Sequence, residues 1–493
     1  MRRLGFSATY LLISFVVLLP VLVSPVIADD FVNPFSQMAH SGTGLFDSLE
    51  YGWRGATSGG SFRIVGNLVG VAYNWTWIQI AAHLDIGIGA LYAATKYVVL
   101  LGAALAVARF AFVVARTFLR PVGFRDCLVL VSIPLFGSLQ IHAPWSNDPV
   151  ANYPLAGFGS VILGFLALSE AVTAIERPSW RRWVVATVIA TVAVLYYEMT
   201  FGAVLGGCLI IAAGAWTAIR DRRDWRVLLS GVWYTAVPLA LLAYGRTVTG
   251  KNASSYDGTT ARLAGTAGTM KRLLAGALPG ASWRRSAVAM GGNVPMVFRM
   301  LPVAVVVVVV VALWARTARR RLQGGWRFTR RSELVAACVA PVVYLLFATG
   351  LQAVTVKVQN ETLAVGYVYM WYAVGACVVA LAGAVIATWA LAAARSNLVR
   401  LCVMTIFGIF LFAQMTINWR LNDFTRVVYA RNMPLLEQFD DGAPEAARCA
   451  ALTNWASLTW PDYYESDMIN GLQAAYQADF GEPFCDGFVR PPT

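Results

Sequence analysis

Two adjacent carboxylates, Asp29 and Asp30, stand in the stretch S-P-V-I-A-D-D-F-V-N-P-F, Ser24 to Phe35, directly after a long apolar run. Ionisable groups at the edge of an apolar segment are costly unless hydrated or paired, so their presence there asks for a reason. A partly desolvated carboxylate binds a proton more tightly, which suits a general base that takes one from an attacking hydroxyl. Two neighbours can divide the work, one as base and the other holding a metal ion or a sugar hydroxyl. Two plainer readings compete. Val26-Ile27-Ala28 fits a small-residue cleavage pattern, which would make the aspartates the start of a mature chain. Alternatively, they are hydrated acids just outside a first helix.

Other residues of the right types recur at intervals that could bring them to the same surface. Arg54 and Arg63 follow in the first loop, and arginine forks bind phosphate well. A second loop, His142 to Tyr153, carries Trp145 and Asp148, and a third ends in Tyr197-Glu198. A further long loop is basic, with Lys251, Lys271, Arg272, Arg284 and Arg285. Each has an ordinary alternative: Asp148 as a turn before Pro149, Glu198 as an arginine partner in helix packing, the basic loop as a solvated surface.

The elements that must position these residues follow from composition. The chain has 493 residues, of which 58% are hydrophobic and only 13% charged. Its mean hydropathy is +0.61. A soluble domain carries roughly a quarter charged residues, so this is an all-α polytopic membrane protein. Eleven apolar runs read as crossings: 8–28, 87–114, 128–142, 154–172, 183–197, 201–218, 227–244, 301–315, 334–354, 367–392 and 398–417. Arginines mark alternate connections: Arg116 to Arg125, Arg177 to Arg182, Arg220 to Arg226, Arg316 to Arg331, then Arg395 and Arg400. The positive-inside rule therefore places the N-terminus inside and the C-terminus outside. Long outer loops fall at 29–85 and 246–300, the first with an expected interfacial helix over Ile64–Ala81. Arg109 lies within a crossing and is expected to snorkel to the inner side.

The net charge of +13 sits in those short loops, which argues against nucleic acid as a partner. Lysine is confined to Lys96, Lys251, Lys271 and Lys357 in an arginine- and alanine-rich chain, a bias associated with GC-rich bacterial genomes. The expected membrane is accordingly the cytoplasmic (inner) one of a bacterium. Residues 419–493 form an acidic, aromatic segment with no apolar span, read as a small outer domain beyond the membrane domain 1–418. It holds Cys449 and Cys485, expected to pair; the other five cysteines lie in or beside crossings. The three histidines are scattered and no cysteine–histidine group has zinc spacing.

With these residues in order, the chain resembles GT-C fold glycosyltransferases, and within them bacterial relatives of the phage-type, O-antigen-modifying glucosyltransferases. The likeness rests on Asp29-Asp30 after the first helix, on Tyr51, Trp53 and Arg63 in the first loop, and on Trp145 to Asp148. Tyr197-Glu198 and the two-cysteine tail complete it. Phe62 stands where the family often has glycine before its arginine. The resemblance implies a sugar donor on a polyprenyl phosphate, its phosphate at the outer interface, and a glycan or glycolipid acceptor of the cell envelope. The acceptor hydroxyl would attack with inversion, Asp29 or Asp30 acting as base. Arg63, with Lys271 or Arg272, would neutralise the departing phosphate, and Asp148 would orient the acceptor or complete a metal site. Some members of the class use a divalent cation such as Mg²⁺ or Mn²⁺ and others do not. The rival functions are a lipid-linked-sugar flippase or transporter, a lipid-linked-oligosaccharide polymerase or ligase, and a non-catalytic scaffold.

Overall fold

The computed structural model of the chain describes residues 2–58, 63–84, 86–119, 122–142, 148–221, 229–250, 260–281, 283, 301–322, 331–365, 367–394, 396–428, 432–439, 442–457 and 463–489. Trp145, Lys251, Arg284 and Arg285 lie outside these residues, as do Arg120, Arg222, Arg223, Arg226, Arg327, Arg330 and Arg395. So do the side chains of Asp29 and of Arg319 to Arg321.

Among the described residues the chain is all-helical, with one isolated bridge between Ala261 and Thr355. Six helical segments are long and apolar enough to cross a membrane: Ile88–Leu119, Pro154–Glu176, Glu198–Arg220, Arg331–Ala353, Trp371–Leu391 and Asn397–Val427. Shorter apolar helices occupy Phe6–Leu22, Val232–Gly245 and Pro302–Ala318. This is a membrane-embedded helical bundle, in which every backbone polar group must be met from within.

The helices that matter for the site are α1 (Arg2–Leu22), α2 (Ala28–Ser41), α3 (Leu45–Ser58), α4 (Ile64–His83), α5 (Ile88–Val114), α6 (Phe124–Ser138), α7 (Pro154–Glu176), α8 (Trp180–Tyr196) and α9 (Phe201–Arg220). Alanine-rich faces of α5 and α7 meet in the main core, where Ala103, Ala104, Val107, Val161, Phe165 and Leu168 are buried. Small side chains let the backbones approach, the usual means of association where lipid removes the hydrophobic drive. Helix α4 covers the stretch where an interfacial helix was expected.

The apolar run 8–28 does not form one helix. Pro25 lacks an amide proton and its ring excludes a helical carbonyl four residues back, so α1 stops at Leu22 and a short extended link leads into α2. Asp29 and Asp30 therefore begin a second helix instead of ending the first. The carbonyls freed at the end of α1 would be unmet in an apolar setting. Side chains from distant segments meet them. Asn422 donates to Pro20 O, Arg426 to Val23 O at 3.2 Å, Lys96 to Ser24 O at 3.5 Å, and Asn432 to Val26 O at 3.3 Å.

The first two of those donors sit on α16 (Asn397–Val428; the helices between α9 and α16 are Val232–Gly250, Thr266–Gly276, Leu301–Leu322, Arg331–Ala353, Val356–Glu361 and Trp371–Ala393). Gln414, Asn418, Asn422 and Arg426 are spaced four apart and so share one face. Asn418 accepts from Ile141 N at 3.0 Å and donates to Leu139 O at 2.8 Å, so the same ladder also holds the extended chain after α6. Helix α16 continues past Asn418, and the segment beyond it packs back on the first loop. Phe31, Phe35, Met38, Trp77 and Ile78 share a core with Leu436, Phe439, Trp455, Leu472 and Tyr476. Cys449 and Cys485 are bonded across that segment, beside the buried Arg448, which donates to Phe484 O at 2.8 Å and to Glu482 at 2.6 Å.

Candidate functional site

Asp30 lies in the first turn of α2, where unpaired amides and the helix dipole favour a negative charge. Its partners come from far away in sequence. Tyr153 N donates to Asp30 Oδ2 at 2.8 Å, and Asp30 N donates to Asn152 Oδ1 at 3.2 Å. The Tyr92 hydroxyl, from α5, hydrogen-bonds the same Oδ2 and lies 3.1 Å from Ala151 O. That hydroxyl has one proton and two acceptors. With Asp30 ionised, Tyr92 donates to it. With Asp30 protonated, Tyr92 can turn its proton to Ala151 O and accept from the acid. The arrangement serves both states, as a group that gains and loses a proton requires.

One helical turn along α5, Lys96 is fully buried. Its ammonium donates to Ser24 Oγ and rests 4.2 Å from the centre of the Tyr92 ring. Asp30 and Asp148 both lie within its electrostatic reach. Sequence reasoning missed Lys96 and Tyr92 as site residues. The signal was present, since Lys96 is a charge inside an apolar run and one of only four lysines.

Asp148 is wholly buried and engaged by its own loop. It accepts from His142 N at 2.6 Å, Val150 N at 2.9 Å and the His142 ring at 3.3 Å, and that ring packs edge-on against Tyr372 with centroids 4.3 Å apart. The loop ends at Tyr153, whose φ of 59° is the one positive value at a non-glycine residue among those described. An aromatic residue in that region is disfavoured and persists only where its surroundings impose it. Here the imposed conformation aims the Tyr153 amide at Asp30 and lets Pro154 start α7. Asp148 thus holds the loop that holds Asp30.

Buried polar atoms without a hydrogen-bond partner among the described residues lie around this cluster: the donors Trp77 Nε1 and Asn152 Nδ2, and Nε2 of the His142 ring. Burial, and then the charge of Asp30, keep the Tyr73 phenol above its ordinary pKa, so it remains a neutral donor. Unmet buried donors next to a carboxylate suit a ligand rich in hydroxyl or phosphate oxygens. No three His, Cys, Asp or Glu side chains converge as a metal site among the described residues.

A second cluster lies where α4 meets the turn between α8 and α9. Gly66 makes this contact, because a Cβ there would stand 2.1 Å from Tyr196 O. The close approach puts Arg63, just before α4, against the buried Glu198 at 2.5 Å and 3.9 Å over the Tyr197 ring. Burial alone would lower the Arg63 pKa, but the Glu198 carboxylate outweighs it and raises the value, so the guanidinium stays charged. Tyr196 links the clusters by donating to Leu155 O at 2.6 Å, two residues beyond Tyr153.

The remaining cations are less central. Arg272 donates to Thr362 O at 2.8 Å and Thr269 Oγ1 at 2.9 Å, so it ties its helix to the segment after Thr362. Lys271 is exposed beside it. Arg54 is exposed on α3 and 3.4 Å from Glu50. The structure therefore places Asp30 and Asp148 in one cluster and Arg63 and Glu198 in a second, linked through Tyr196, and leaves Arg54 and Lys271 at the surface. Comparison with protein-family models, with curated proteins and with solved structures returns no match.

Proposed function

We propose that this chain is a membrane glycosyltransferase of GT-C type, moving a sugar from a polyprenyl-phosphate donor to a glycan or glycolipid acceptor of the cell envelope. In this reading it crosses the bacterial cytoplasmic membrane eleven times, N-terminus inside and C-terminus outside, and Asp30 faces outward. The observation that carries the proposal is the Asp30–Tyr92–Ala151 arrangement, a carboxylate able to hold or release a proton at a helix start beside unmet donors. Asp30 takes the proton of the acceptor hydroxyl as its oxygen bonds to the anomeric carbon. The bond from that carbon to the phosphate oxygen breaks, inverting the centre and releasing polyprenyl phosphate. Fixed cations matter most where charge develops, which suits Lys96 and Arg63 near the departing phosphate. Asp29 stands next to Asp30 as the alternative base, and a divalent cation remains part of the proposal only through that side chain.

The test is envelope glycan composition in a strain lacking the protein, complemented with wild type, Asp30→Asn or Asp29→Asn at matched expression. The reading expects wild type to restore a missing sugar and Asp30→Asn to fail. Restoration by both Asp variants would sink it and favour a lipid-linked-sugar transporter or a polymerase.

A further inference from the structure

The far end of α5 carries a different pattern. Gly102, Leu105, Arg109 and Phe112 of α5, with Arg116 in the π-helical turn Ala115–Leu119 that continues it, recur at three- and four-residue spacing. On α7, Ile162, Leu166, Thr173 and Arg177 stand opposite. The two faces enclose a cavity of about 600 Å³, with Arg182 of α8 completing its wall.

This groove is graded along its length. At its narrow end a Cβ on Gly102 would meet Ile162 Cδ1 at 2.8 Å, so the helices nearly touch there. Leu105 and Leu166 follow, and Leu105 is exposed. The other end is basic. Arg109 pairs with the buried Glu170, Glu176 lies 3.9 Å from Arg116 and 3.6 Å from Arg177, and Arg182 donates to Thr173 O at 3.4 Å. Four arginines meet two glutamates, so positive charge is in excess. From Gly102 to Arg116 the helix rises about 21 Å, the scale of an acyl chain. From Tyr92 to Arg116 it rises about 36 Å, more than the roughly 30 Å of a hydrocarbon core. The groove is therefore at the other membrane face from Asp30.

We propose that this groove binds an anionic phospholipid, its phosphate among Arg116, Arg177 and Arg182 and an acyl chain along Leu105 and Leu166. Arginine forks match phosphate oxygens, and basic pockets between spans recognise anionic headgroups. A basic mouth that continues into an apolar stretch matches a lipid better than a free anion, which would leave the apolar half unused. This inference does not depend on the transferase reading.

Native mass spectrometry of the purified full chain, titrated with phosphatidylglycerol or phosphatidylcholine, tests it. Phosphatidylglycerol is expected to bind, and an Arg116→Gln/Arg182→Gln pair to weaken it by roughly tenfold or more, at about 1 kcal/mol per basic residue. Arg220→Gln, an exposed arginine paired with Asp221, should change nothing. Equal binding of phosphatidylcholine, or an unaffected double variant, overturns the proposal. So does full competition by inorganic phosphate, which would mark a free-anion site. Should the double variant fail to fold, Leu105→Trp fills the apolar half from a lipid-facing position, and undiminished binding there would also overturn it.

Discussion

Asp30 and Asp148 are both aspartates near the same end of the bundle, yet they are held in opposite ways. Asp148 is fully enclosed, and its contacts come from residues within six positions of it. Asp30 is only partly buried, and Tyr92 and Tyr153, which donate to its Oδ2, lie more than sixty residues away, on α5 and at the start of α7. A carboxylate saturated by its own loop fixes a shape. One held by the amide and hydroxyl of distant elements, that hydroxyl able to reverse its bond, fits the proton-transfer role proposed for it. What differs is less the degree of burial than who supplies the partners, and whether those partners tolerate both protonation states.

Four substitutions and one titration can break or sharpen that contrast. Asp30→Asn should lower transfer by about 10²–10⁴-fold, the usual contribution of a positioned base, while thermal unfolding in detergent stays near wild type. Asp148→Ala should do the reverse. It leaves the His142 and Val150 amides unpaired at about 1–3 kcal/mol each, so the yield of folded protein falls while activity per folded molecule is largely kept. A catalytic loss with intact folding in Asp148→Ala would erase the distinction. Gly66→Ala forces α4 off Tyr196 O, with an expected destabilisation of about 1–3 kcal/mol read by the same unfolding assay. Tyr92→Phe removes the reversible hydroxyl and should cost about tenfold in turnover without disturbing the fold.

The smallest effect concerns the docked tail. Burial raises the Asp479 pKa, despite the hydrogen bond it accepts from Gln79 at 3.0 Å. The neutral acid is thus favoured in the folded state. Its contribution is complete below the ordinary carboxylate value and is lost as pH rises through the elevated one. Unfolding of wild type should show this slight loss over that window, and Asp479→Asn should remove it.

Much of the helical layout was legible because apolar runs bounded by arginines leave few alternatives. The helix over 64–83 was visible for the same reason, and Arg63 with Glu198 could be anticipated as an arginine seeking a buried partner. The break after Leu22 was hidden because the residues on both sides are apolar; only Pro20 and Pro25 signalled it. The partnership of Tyr92 with Asp30 could not be read, since tyrosine near the end of a span is ordinary and its long-range partner depends on packing. Arg109 was legible as a charge inside a span, but its partner Glu170 on the neighbouring helix was not, since that pairing depends on packing. The α16 ladder was visible as Gln414, Asn418, Asn422 and Arg426, but the expected end of the span near Ile417 cut the four-residue period in two.

That ladder bears on the order in which the molecule can be completed. A ribosome that has released the first three spans has already made Asp30, Tyr92 and Lys96. It has not yet made Asn422, Arg426 or Asn432, which hold the link leading into Asp30. The Asp30 turn therefore waits for the last span and the first residues of the tail. A chain ending before Gln414 should insert into the membrane but leave the Ser24 to Asp30 link open to protease, whereas the full-length chain protects it. Synthesis itself thus becomes a checkpoint, and a partly made chain carries Asp30 without the contacts that set its turn.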